Sequence, residues 1–95
     1  MVTIKILGKP FKIVWKPASW FQKDDEGLCY AQQQIIYIQE GLAKEEEQDV
    51  VLHEIIHVLD HSMHLGLEES QVSRLSSGLI ALFKDNPEFY KDRLK

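Results

Sequence analysis

Two imidazoles and a carboxylate stand close together at His53-Glu54-Ile55-Ile56-His57. Histidines four residues apart on a helix share one face about a turn apart, so both rings can converge on a single tetrahedral ion. A glutamate one step after the first histidine projects beside that pair. It can take a proton from metal-bound water without being a ligand itself, and zinc brings the pKa of such water down to around 7. The bland alternative is two surface histidines on an amphipathic helix. With this composition the spacing would arise by chance in about one or two chains in a hundred, so the metal reading is the expectation adopted.

Helical phase supports it. With His53 at zero and about 100° per residue, His57 falls near 40° and Glu54 near 100°. Val51, Leu52, Ile55, Ile56, Val58 and Leu59 fall between roughly 140° and 300°, so one arc is apolar and the chemical set lies opposite it.

A third protein ligand is less directly legible. His61 continues the line of His53 and His57, but three ligands along one straight helix span too far to close on one ion. Some zinc peptidases take a third histidine after a glycine turn; that pattern would put glycine at 60 and histidine at 63, where this chain has Asp60 and Met63, with His64 one step late. Glu68 and Glu69 follow the Gly66 turn, and the next acidic residue, Asp85, lies about 24 Å further along a helix. One of the pair therefore completes the site unless the strand half supplies a ligand. A glutamate at a helix start could instead serve only the helix dipole. Asp60 could orient a ligand imidazole or be a solvated helix residue. Tyr30, Tyr37 and His61 are candidate oxyanion donors, each with an ordinary core or surface role as the simpler reading.

The elements that must position these residues divide the chain in two. Val2, Ile4 and Ile6, then Phe11, Ile13 and Trp15, alternate as in half-buried strands around a turn at Gly8-Lys9-Pro10, a hairpin. Its lysines (Lys5, Lys9, Lys12, Lys16) form the wet face. Residues 17 to 27 carry turn chemistry and read as a loop; residues 28 to 38 read as a second strand pair bending at Gln32-Gln33. From Lys44 the period becomes helical, with Glu45, Glu46 and Glu47 at the positive end of the dipole and Gly66 as the stop. A second helix is expected from Glu68 to about Lys84, with Val72, Leu75, Leu79 and Leu82 on one face. Asn86 can cap and Pro87 can open a short tail helix to Leu94. The fold class is therefore α+β, one domain of 95 residues with a strand-rich first half packed on a helical second half.

Composition excludes several classes. A formal charge of −4 offers no basic patch for phosphates, so nucleic acid is not the expected partner. The single cysteine, Cys29, cannot form an internal disulfide and reads as a half-buried strand residue, less readily as a nucleophile or a further metal ligand. Met1 to Leu7 lack the apolar run of a signal peptide and no stretch approaches a membrane span. The expectation is a soluble, intracellular (cytoplasmic) protein without a membrane partner.

From Asp49 to Phe89 the chain resembles the small phage- and prophage-encoded zinc metallopeptidases, and more loosely the ImmA/IrrE group of gluzincin-type peptidases. The likeness rests on His53-Glu54-Ile55-Ile56-His57, on the helix after it, and on Asp85-Asn86-Pro87-Glu88-Phe89. In the larger group a glutamate ligand is followed by small or apolar residues three, six, seven, ten and eleven positions on. From Glu69 these are Val72, Leu75, Ser76, Leu79 and Ile80; from Glu68 the register fails at Gln71 and Arg74. Val72 and Ser76 stand where alanines are usual. The resemblance thus implies Glu69 as third ligand and a minimal zincin-like domain: a small, mostly antiparallel sheet against an active-site helix and a ligand-bearing helix. It also implies zinc as cofactor, and hydrolysis of a peptide bond in a phage or host protein with Glu54 as general base. Substrate would pair with an edge strand, for which Gln34 to Gln39 is the candidate, an ordinary inner strand being the alternative. The rival functional reading is a zinc-binding regulatory or protein-interaction module without turnover; a metal-free structural domain is the third.

Overall fold

The computed structural model describes residues 2–93. Strand β1 (Val2–Ile6) turns into β2 (Lys9–Lys16), and the chain then runs through a single 3-10 turn (Ala18–Trp20) into β3 (Gly27–Tyr30) and β4 (Ile35–Gln39). Three helices follow: α1 (Lys44–Met63), α2 (Glu69–Asp85) and the short α3 (Pro87–Arg93). The α+β class and the division into a strand half and a helical half are as the residue pattern implies.

The first hairpin turns at Leu7-Gly8, both with positive φ (51° and 81°), rather than at Gly8-Lys9-Pro10; the strand resumes at Lys9 and carries Pro10. Two successive left-handed residues give the turn whose twist matches that of the flanking strands. Pro10 is tolerated inside β2 because β4 pairs only with Lys12 to Lys16.

The sheet is mixed, in the order β1-β2-β4-β3. The β1–β2 and β3–β4 pairs are antiparallel, while β2 and β4 run parallel at the centre. The segment Gln34 to Gln39 is therefore an inner strand, and the candidate edge assigned to it is corrected: β3 is the edge on that side. The cause is topological. The β3–β4 hairpin folds back so that its second arm, whose Ile36 and Ile38 are fully buried, takes the most enclosed place.

One face of the sheet carries Ile6, Phe11, Ile13, Ile36 and Ile38 against Val58 of α1, forming the core. The other carries Tyr37, whose ring lies 4.5 Å from Trp20 and 5.9 Å from Tyr30. Helix α2 crosses α1 at Val72 and Ser76, both with no exposure; the Ser76 hydroxyl lies 2.6 Å from Asp49 Oδ1 and 2.9 Å from the Asp49 carbonyl. The expected apolar face of α2 is only half used. Val72 is buried, but Leu75 and Leu82 are exposed, because the crossing selects the Val72–Ser76 line.

Helix α1 ends earlier than Gly66. His64 adopts the left-handed conformation and its N–H reaches the Asp60 carbonyl, which also accepts from Leu65; Gly66 (φ 71°) makes a second left-handed bend. Asn86 faces the other way from the expected cap: its side chain donates to the Leu82 carbonyl and closes α2 rather than opening α3. The predicted end of the tail helix at Leu94 lies outside the described residues.

Candidate functional site

Helix α1 holds His53 and His57 one turn apart, with Nε2 atoms 3.1 Å from each other. The third group comes from the first turn of α2. Glu69 Oε1 lies 2.6 Å from His53 Nε2, and Glu69 Oε2 lies 3.1 Å from His57 Nε2. One donor atom from each residue thus falls within 4.8 Å of the other two. Of the two glutamates that the residue pattern left open, Glu69 is the one brought to the imidazoles. Glu68 sits at the N-cap of α2, its backbone N–H donating to Gln71 Oε1 at 2.8 Å.

The turn after α1 makes this convergence possible. Asp60 Oδ1 accepts from the Leu67 N–H at 3.0 Å, and the Asp60 carbonyl collects the N–H groups of His64 and Leu65. These bonds satisfy the last carbonyls of α1 and reverse the chain within a few residues. Asp60 therefore shapes the α1–α2 turn, a role its sequence position did not reveal. His64 is exposed and serves as the left-handed residue of that turn, while His61 is exposed and lines a neighbouring cavity with His57, Tyr30 and Gln33. The ring contacts of Tyr37 are to Trp20 and Tyr30, on the sheet face away from α1. Of the three candidate oxyanion donors, Tyr30 and His61 border a cavity that His57 also lines.

The donor set fits a small divalent cation. Zinc bound tetrahedrally at ~2.0–2.1 Å separates neighbouring donor atoms by about 3.3 Å. The two separations that involve His57, 3.1 Å each, are close to that, and the His53–Glu69 separation of 2.6 Å is shorter. Two imidazole Nε2 atoms facing each other can share a proton only when one is the donor and the other the acceptor; a cation between them satisfies both lone pairs. Nitrogen, nitrogen and oxygen donors from protein with one side left open match the ligand types of catalytic zinc sites.

Glu54 occupies a different environment. It is 7% exposed, whereas the side chains of His53, His57 and Glu69 are 22%, 29% and 68% exposed. Burial pushes its carboxyl above the ordinary value, and the carboxylates of Glu69 and Asp25 add to the rise. The charge of His57 and a hydrogen bond from the Cys29 thiol act in the opposite direction. A carboxyl raised toward neutrality is a better proton acceptor at working pH than an ordinary glutamate. The Cys29 thiol is itself pushed up to about 12, first by burial and then by Glu54, so it is protonated at neutral pH.

All four groups line one cavity of about 610 Å³ whose other walls include Asp25, Gly27, Cys29 and Asp49. At its rim the Glu26 carboxyl is raised above its usual value by a hydrogen bond with Glu46, by burial, and by repulsion from Glu46 and Asp49. Gly27 and Asp49 draw no functional attention in the sequence, and Cys29 reads as a nucleophile or metal ligand only behind an ordinary strand role. Gly27 reads as loop and Cys29 as a strand residue, and no spacing relates these two to a motif more than twenty residues downstream.

Among the described residues no helix is long and apolar enough to cross a membrane. No protein-family model, no curated protein and no solved structure matches the chain.

Proposed function

We propose that this protein is a zinc-dependent peptidase in which His53, His57 and Glu69 hold the ion and Glu54 is the general base. The observation that carries this reading is the meeting of Glu69 with both imidazoles, at 2.6 and 3.1 Å, in an open cavity that also contains a buried carboxylate. Two histidines on one helix are common. A carboxylate from a separate helix closing on the same point, with a second one raised by burial beside it, is the arrangement hydrolysis needs.

When bound, zinc supplies Lewis acidity toward water and toward a substrate carbonyl. The chain's own residues do the rest. Glu54 takes a proton from water at its carboxylate and afterwards delivers it to the departing amine, a cycle that returns it to its starting state. Burial keeps its basicity high, and its place one residue after His53 sets it beside the donor triangle. Edge strand β3 borders the cavity through Gly27, Leu28 and Cys29, and an extended peptide can add to its outer side by main-chain hydrogen bonds. An exposed segment of an intracellular phage or host protein is the substrate class that fits an open cleft and the family resemblance together. The zincin-like character of the fold belongs to the same proposal.

The test is a pair of measurements on one variant. Glu54→Gln is expected to retain one zinc per chain by elemental analysis and to lose hydrolysis of a quenched-fluorescent peptide library. Undiminished hydrolysis would remove Glu54 from the mechanism. A zinc-loaded wild type that cleaves nothing would favour the non-catalytic module.

A further inference from the structure

Glu54 reaches the cavity from under strand β3, and two β3 residues on the face toward α1 shape the space it occupies. Gly27 pairs with Ile38 and Cys29 with Ile36, which sets both on the core side of the sheet. The backbone of Gly27 has no positive φ, so its conformation is open to any residue; what it lacks is room. A Cβ there would lie 2.8 Å from Val50 Cγ1, 3.0 Å from Glu54 Cγ and 3.1 Å from Glu54 Oε2. The glycine thus leaves open the volume that the Glu54 side chain fills. Two residues on, Cys29 lies on the same face of the strand and lines the same cavity as Glu54.

We propose that Gly27 and Cys29 are positioning residues for Glu54, the first by removing a side chain that would displace its carboxylate and the second by donating to it. The catalytic consequence rests on the reading of Glu54 as general base; the positioning itself does not. A carboxylate in a buried slot needs both space and a donor, since otherwise it rotates toward water or stays protonated. The thiol is suited to this because it remains protonated across the neutral range and is a weaker donor than a hydroxyl. It fixes direction without holding the proton-accepting lone pair as tightly.

Three variants and one spectroscopic signal test this. Cys29→Ala and Gly27→Ala are expected to lower kcat by about 10- to 100-fold, the scale of an angstrom-sized misplacement. KM and the zinc content should stay near wild type. Cys29→Ser restores a donor and is expected to recover most of the loss. Equal kcat in Cys29→Ala and wild type would overturn the role of the thiol. Recovery by Cys29→Ser separates positioning from packing, because alanine and serine differ little in volume.

The second readout needs no activity. Cys29 is the chain's single cysteine, so its S–H stretch is one infrared band in a region free of other protein signals. Hydrogen bonding lowers and broadens that band. It is expected to move up toward the free-thiol position in Glu54→Ala and in Gly27→Ala. The same band in wild type and Glu54→Ala would overturn the inference whatever happens to hydrolysis. A band that moves in a protein cleaving no peptide leaves the positioning intact and removes only the peptidase.

Discussion

The two carboxylates at the centre of this protein are held by opposite means. At the wall between α1 and β3, Glu54 is 7% exposed and enclosed so closely that a methyl group at Gly27 would strike it. At the corner between α1 and α2, the Glu69 side chain is 68% exposed and its position depends on how two helices cross. The wall belongs to the main core, one residue turn from Val58 and the sheet. The corner is fastened by Val72, Ser76 and the Asp60 turn. The contrast matches the work each group would do. A general base gains from being desolvated and directed. A ligand contributes charge and an oxygen atom, and can remain wet.

The comparison breaks most visibly at the imidazoles that both regions share. Replacing His53 and His57 together by alanine is expected to reduce bound zinc from one per chain to none, read by elemental analysis of freshly purified protein. Retained zinc would place the ion elsewhere. Glu54→Gln comes next, with a rate loss on the scale of general-base removal, about 10²- to 10⁴-fold, and zinc unchanged. Glu69→Ala should do the reverse. Zinc affinity is expected to fall by more than the ~10–100-fold typical of residues that only support a ligand, measured by competition with a chromophoric chelator. Equal damage to zinc binding by both carboxylate variants would erase the distinction between wall and corner.

Smaller effects sharpen it. Val72→Ala should cost about 1.5–3 kcal/mol in urea denaturation, from lost burial plus the cavity left behind. If the corner governs Glu69, the same variant weakens zinc binding more than it slows the zinc-saturated rate. The smallest effect lies at the cavity rim. The Glu26 carboxyl is raised above its ordinary value chiefly by Glu46, so its folded pKa exceeds its unfolded one. Stabilisation from binding that proton is present below the unfolded value and lost as pH rises through the folded value. Glu46→Gln is expected to flatten this slope, making the chain less dependent on pH between mildly acidic and neutral conditions. The gain at neutral pH should be under about 1 kcal/mol, since the pair is near solvent.

Much of the helical half was legible because its signals are local. The four-residue spacing of His53 and His57 fixes their common face through helix geometry alone, and the phase of Glu54 beside them follows from the same 3.6-residue period. The strand pattern also survives, with alternation at Val2 to Ile6 and Phe11 to Trp15 marking the first hairpin. Pairing between distant strands has no comparable signature. Nothing in Ile35 to Gln39 announces whether it lies at an edge or between neighbours, so its parallel place beside β2 was hidden. In the same way a helical period cannot say which stripe of α2 meets α1. Val72 and Leu75 are equally apolar, yet the crossing buries one and exposes the other.

The sequence by itself determined which side chains lie near one another on the first helix: two imidazoles and a carboxylate spaced to share one helical surface. The expected resemblance to zinc metallopeptidases favoured Glu69 over Glu68. Only the tertiary structure decided that Glu69 reaches the imidazoles, that β3 is the exposed edge, and that Gly27 and Cys29 enclose Glu54. The reason is range. Helical spacing is set by bonds between residues four apart, whereas the slot around Glu54 forms where a strand and a helix separated by some twenty residues come into contact, and no periodicity encodes that meeting.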